Sequence, residues 1–269
     1  MKKNQQKLLK FTKFLFLFFG IAFIVFQFQN INLNFVDALQ LRFFAFSTIL
    51  LFIGISLFSL YWGFLLQNLD PNTLLSQSMK NYFQGQLGKY IPGSIWSITG
   101  RIGLAVESGL PIKEVTKITT KHLYHLWLNC LILGLILYSE KIMLLGIFIC
   151  FIGFYSFYFK KPYFIYFTGW LFIGLSYLIL IINLETTSQI NNLKIMSSAI
   201  LSWLGGFLFI PSPSGIGVRE YLFSFIYSDV NLYDKLFIVA TLSRIASLIS
   251  DFFGFIFYSL YFQKSEKTK

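Results

Sequence analysis

Apolar residues in this chain run in long blocks. Phe14 to Val36, Phe43 to Leu69, Ile142 to Phe159, Pro162 to Leu184 and Ile195 to Val218 contain no Asp, Glu, Lys or Arg. Each block reaches or approaches the roughly 20 residues that cross a bilayer core as helix. The pattern predicts helices over about Thr12–Gln29, Phe43–Gln67, Val115–Leu137, Ile142–Phe159, Tyr163–Asn183 and Lys235–Phe262. A further pair, Ile195–Phe209 and Val218–Tyr227, is separated by a break. The expected fold is an all-α polytopic transmembrane bundle of about six to eight spanning helices, forming a single integral-membrane domain over 1–269.

Two interruptions stand out. Ile210 to Glu220 reads IPSPSGIGVRE, with two prolines that cannot continue a helix and then Gly215 and Gly217. Arg219 and Glu220 follow at a depth where a spanning segment should carry no charge. The other stretch, Gln84 to Pro111, reads QGQLGKYIPGSIWSITGRIGLAVESGLP. It is too polar to span and too apolar for a plain loop, and the expectation is a re-entrant or surface-lying segment with Tyr90 and Trp96 at the interface. Each stretch carries proline, glycine and then arginine: Pro92, Gly93 and Arg101 in one, Pro213, Gly215 and Arg219 in the other. They form a weak repeat, 84–111 and 205–228, each followed by a helix with a polar face. Counting helices from a cytoplasmic N-terminus brings them to opposite sides, the arrangement by which inverted-repeat transporters build a site.

Polar faces mark the flanking helices. Lys117, Lys121, His125 and Asn129 recur every four residues and form one stripe; Lys121, His125 and Asn129 are expected to line a wet cavity or to join helices by hydrogen bonds. Arg244, Ser247 and Asp251 share a face of the last helix.

Composition agrees with a membrane class: 269 residues, 56% hydrophobic, 20% aromatic and only 12% charged, with a mean hydropathy of +0.67. No hydrophilic stretch is long enough for a soluble domain. The net charge of +11 would suit nucleic acid, but its placement excludes that reading. Lys2, Lys3, Lys7, Lys10 and Lys13 flank the first span, Lys160 and Lys161 lie between spans, and Lys264, Lys267 and Lys269 end the chain. These are positive-inside signals, which predict a plasma-membrane protein with cytoplasmic N- and C-termini. The first apolar block lacks a small-residue cleavage site after Phe28 and is expected to remain as a helix. Cys130 and Cys150 lie within apolar runs and are expected to be inert packing residues.

Catalytic signatures are absent. There is no GxSxG, HExxH or GxxxxGK[ST], and no close pair of aspartates to hold Mg²⁺. His122 and His125 have no Cys or carboxylate cluster to complete a metal site. No cofactor and no metal are expected.

QLGKYIPGSIW followed by Gly100-Arg101, together with IPSPSGIGVRE, resembles the paired signatures of the lysylphosphatidylglycerol synthase transmembrane (flippase-like) family. That family includes the membrane domain of multiple peptide resistance proteins. The likeness spans nearly the whole chain, and the second motif is the more specific. Ser214-Gly215 stands where a glycine pair is expected. Nothing in the chain corresponds to the family's soluble synthase domain, so aminoacyl transfer is not carried over. The resemblance implies movement of a lipid or lipid-linked substrate, a phospholipid or a polyprenyl-linked sugar, across the membrane.

A guanidinium binds phosphate in bidentate fashion, and a half-helix starting near Gly215 would add backbone N–H groups and its dipole. The expected headgroup site comprises Lys89, Arg101, Gly215, Gly217, Arg219, Glu220, Arg244 and Asp251. Arg219 and Glu220 could instead pin the break as an ion pair, and Arg244 and Asp251 could partner Glu220 and Arg219. Two other functions stay open: a non-catalytic membrane subunit partnering a glycosyltransferase, or a membrane-embedded lipid transferase using Glu220, Asp251 or His125.

Overall fold

The computed structural model describes residues 41–90, 95–141, 144, 146–149, 151–153, 163–184, 190–209, 213–228 and 232–267. The expected first helix, Thr12–Gln29, lies outside the described residues, as do Pro92, Gly93, Cys150, Lys160, Lys161, Pro211, Lys269 and most of the block from Ile142 to Phe159. Among the described residues the chain forms helices and turns with no strand. In chain order the helices are α1 (Leu41–Gln67), α2 (Leu75–Gln86), α3 (Trp96–Glu107), α4 (Ile112–Tyr138), α5 (Phe164–Leu184), α6 (Asn192–Leu208), α7 (Val218–Tyr227) and α8 (Tyr233–Lys267). Short 3₁₀ turns occupy Leu87–Tyr90 and Pro213–Gly215.

Among the described residues three helices are long and apolar enough to cross a membrane: α1, Phe164–Asn183 of α5 and Lys235–Leu260 of α8. Helix α4 has the length, but its first half carries Lys113, Glu114, Lys117, Lys121, His122 and His125. Helix α6 stops after 17 residues.

Small residues and interhelical hydrogen bonds hold these helices together, as expected where apolar burial alone cannot tell one helix from lipid. Helix α1 lies so close to α5 that a Cβ on Gly54 would meet the Gly169 carbonyl oxygen at 2.8 Å. Trp62 Nε1 donates to Thr119 Oγ1 at 3.2 Å, joining α1 to α4. Trp170 Nε1 donates to the Leu126 carbonyl at 3.0 Å, joining α5 to α4. Ser197 Oγ donates to the Gly134 carbonyl at 2.7 Å and fixes α6 on α4. Cys130 is free and buried, with its thiol 3.3 Å from the Ile200 carbonyl, which fits the expected packing role.

Helix α2 is absent from the expectations drawn from sequence. Its signal is Met79, Tyr82 and Phe83, apolar positions three to four apart that the structure buries. Eight of its 12 residues are polar or glycine, which conceals the stripe in a chain this apolar. Helix α2 packs on α8, α1 and α3. Within the stretch from Gln84 to Pro111 the described residues form a helix end, a 3₁₀ turn over Leu87–Tyr90 and the helix α3, which packs on α2 and α4. Ser97, Arg101 and Ala105 of α3 are buried, whereas Ile95 and Trp96 at its start are exposed.

A central cavity between two broken helices

The two 3₁₀ turns, which lie far apart in sequence, touch each other. Each follows a helix that ends at a break, α2 in one half and α6 in the other, and each precedes a short helix carrying an arginine. Around them lies a cavity of about 160 Å³, roughly ten times what one water requires. Its polar wall includes Lys89, Arg101, Ser214, Arg219, Glu220 and Arg244. The rest of its lining is largely apolar and includes Leu51 and Phe58 of α1, Leu126 of α4 and Ile173 of α5.

The second break is held by backbone geometry that glycine permits. Gly215 has φ +69° and Gly217 has φ +81°, and Ser214 also lies in the left-handed region at φ 53°. A Cβ on Gly215 would stand 2.4 Å from the Gly206 carbonyl oxygen, so the turn rests directly on the backbone of α6. Helix α7 then starts at Val218. Glu220 closes its N-terminus: the Gly217 N–H donates to Glu220 Oε2 at 2.8 Å. The helix start near Gly215 that was expected to aim free N–H groups at a ligand is thus partly taken by the chain's own carboxylate.

Helix α8 supplies the counter-charges. Arg244 forms an ion pair with Glu220 through Nε, and its Nη2 donates to Glu220 Oε2 at 3.1 Å and to the Gly215 carbonyl at 2.6 Å. Two turns along the same face, Asp251 accepts from Lys89 Nζ at 2.6 Å and from the Tyr90 hydroxyl at 2.6 Å. Lys89 also donates to Ser247 Oγ at 3.2 Å. Glu220 and Asp251 are both fully buried. The alternative of an Arg219–Glu220 pair is corrected, since Glu220 faces Arg244 and Asp251 faces Lys89. Neighbours in sequence on a helix point in different directions, whereas a partner on a packed helix can meet one of them squarely.

That leaves two arginines. Arg219 is 7% exposed and Arg101 is 2% exposed, and neither meets a carboxylate among the described residues. Arg219 makes no hydrogen bond among them; its guanidinium lies 5.3 Å from the centre of the Trp203 ring, and its Nε has no partner. Arg101 donates from Nε to the Ser97 carbonyl at 3.0 Å and lies 4.5 Å from the Tyr82 ring, with Nη1 unpartnered. The two seats are built alike. A Cβ on Gly85 would stand 2.3 Å from Arg101 Cγ, and one on Gly206 would stand 2.2 Å from Arg219 Cγ. In both helices the aromatic residue precedes the glycine by three positions.

Six of the eight expected headgroup residues therefore meet around one cavity or pair with a residue that does, and Gly215 and Gly217 shape the turn beside it. Lys121, His125 and Asn129 do not contribute to its lining. Lys121 is exposed, and Asn129 Nδ2 donates to the His125 carbonyl of its own helix at 2.9 Å. His125 sits among Tyr124, Tyr163 and Tyr166. Helix α4 turns Leu123 and Leu126 to the cavity instead, because the stripe falls on another of its faces. His122 is buried, with Nδ1 2.9 Å from the Tyr166 hydroxyl. Among the described residues no cluster of His, Cys, Asp or Glu could hold a metal ion.

Sequence reasoning missed Tyr82, Gln86, Trp203 and Tyr177 as cavity residues, and it assigned Tyr90 to a membrane interface. The aromatic-x-x-Gly spacing shared by Tyr82–Gly85 and Trp203–Gly206 was the available signal. Comparison with family models, curated proteins and solved structures gave no match for this chain.

Proposed function

We propose that this chain is a polytopic plasma-membrane protein that binds the phosphate-bearing headgroup of a lipid between its two broken segments and carries it across the bilayer. The observation supporting this reading is a cavity whose lining holds two buried arginines that meet no carboxylate among the described residues, together with many apolar side chains. A buried cation without a counter-charge is costly in a membrane, so such residues mark ligand or ion pathways. Arginine's planar fork matches phosphate oxygens. The apolar lining suits the first part of a tail, the rest of which would remain in lipid. The lysine distribution supports cytoplasmic termini, and the two signature stretches support kinship with the flippase-like family.

The test is headgroup accessibility of fluorescent phospholipid and polyprenyl-phosphate probes in proteoliposomes. The native chain should speed their movement between leaflets, and Arg219→Gln should abolish the effect while still eluting as a folded protein on size exclusion. Movement of neither probe would overturn unassisted lipid transport.

A further inference from the structure

We infer that the cavity selects a lipid whose headgroup ends in a doubly charged phosphate, a phosphomonoester or diphosphate, over the singly charged phosphodiester of ordinary phospholipids. The inference rests on the lipid-binding reading above and specifies its substrate class. It follows from how the charges around the cavity are satisfied. Lys89 is matched by Asp251 and Arg244 by Glu220, each in a close ion pair. Arg101 and Arg219 remain, so among the described residues the lining and its ion partners hold two positive charges in excess.

Both guanidiniums are more than nine-tenths buried and both carry a nitrogen with no hydrogen-bond partner. Each is held by glycine under its stem and an aromatic face beside its plane, with Arg219 Nε itself against Gly206, and both residues line the cavity. Cation–π contacts offset part of the desolvation but do not neutralise charge. A phosphodiester brings one negative charge and would leave one arginine uncompensated. A terminal phosphate brings close to two near neutral pH and offers three acceptor oxygens, enough for two arginine forks. A zwitterionic or cationic headgroup would worsen the imbalance.

The experiment uses the full chain purified in detergent and measures binding by isothermal titration of two lipids with identical acyl chains. Dioleoyl phosphatidic acid ends in a phosphomonoester, and dioleoyl phosphatidylglycerol contains a phosphodiester. Farnesyl diphosphate and inorganic pyrophosphate complete the series. Phosphatidic acid and farnesyl diphosphate should bind about tenfold or more tighter than phosphatidylglycerol at pH 8, the ratio that one additional charge-assisted hydrogen bond supports. The advantage should shrink as pH falls through about 6, where the monoester dianion takes up a proton and becomes singly charged, while phosphatidylglycerol binding stays flat. Arg101→Gln and Arg219→Gln should each bring the ratio towards one. Arg101→Lys and Arg219→Lys, which keep the charge and disturb packing less, should retain part of it, and Lys121→Gln, outside the cavity, should leave it unchanged.

Equal binding of phosphatidic acid and phosphatidylglycerol, with both lost in Arg219→Gln, would overturn this selectivity and leave the lipid-binding reading standing. Binding of neither lipid would overturn both. Inorganic pyrophosphate binding as tightly as farnesyl diphosphate would make a soluble phosphate, and not a lipid, the occupant.

Discussion

The two halves of the site use one seat twice and then differ in how they are tied down. In the first half Tyr82 and Gly85 of α2 receive Arg101, and in the second Trp203 and Gly206 of α6 receive Arg219. The ties to α8 have opposite polarity. The first half offers a cation, Lys89, to Asp251; the second offers a carboxylate, Glu220, to Arg244. A single helix can therefore clamp both breaks with one residue of each sign, placed two turns apart on one face. The difference separates two jobs that a list of charged residues would merge. One cation and one carboxylate lock the turns to α8, while the duplicated arginines are left facing the cavity.

The largest effects should come from breaking the clamps. Glu220→Gln and Asp251→Asn each leave a buried cation unpaired, a loss of about 3–5 kcal/mol. Glu220→Gln should be the worse of the two because the same carboxylate also caps α7. Thermal unfolding in detergent would measure both, and a mild Asp251→Asn would break the parallel between the halves.

Next in size is the turn itself. Gly215→Ala combines a positive φ with a backbone neighbour at 2.4 Å, whereas Gly217→Ala meets nothing within 4 Å and suffers only the conformational strain. About 1–3 kcal/mol is expected for Gly217→Ala, and more for Gly215→Ala; equal losses in denaturant titrations would mean that the turn can lift off α6.

Smaller, and the sharpest test of duplication, are Gly85→Ala and Gly206→Ala. Each methyl group would collide with an arginine stem, at a cost of about 1–3 kcal/mol. Similar losses in stability, each with weakened anion binding, are expected if the seats are equivalent. If only one substitution weakens binding, the halves share shape without sharing function.

The smallest expected quantity is a null. Double-mutant cycles should give coupling of about 0.5–3 kcal/mol for Lys89 with Asp251 and for Glu220 with Arg244. The crossed pair Lys89 with Glu220 should be additive to within about 0.5 kcal/mol. Strong crossed coupling would show one charge network where two clamps are described.

Much of this arrangement was legible in the chain. Charge-free runs give α1 and α5 almost to their ends, because a helix that faces lipid must be largely apolar. Proline and glycine mark the second break because their backbone limits are intrinsic to the residue. The shared face of Arg244, Ser247 and Asp251 follows from helical register alone. Helix α2 was hidden because its polar residues resemble a loop beside such apolar neighbours, although Met79, Tyr82 and Phe83 carry the period.

The sequence by itself determined the long apolar helices, where the chain breaks and which side chains share a face, since those depend on local backbone chemistry and on a fixed period of 3.6 residues. Only the tertiary structure decided which faces meet. Glu220 reaches past its neighbour Arg219 to Arg244, Asp251 takes Lys89, and the stripe of Lys121, His125 and Asn129 turns aside while Leu123 and Leu126 line the cavity. Register fixes the direction of a side chain about its own axis; the crossing of one helix over another, set by small residues such as Gly85 and Gly206 many positions away, decides what that side chain finds there.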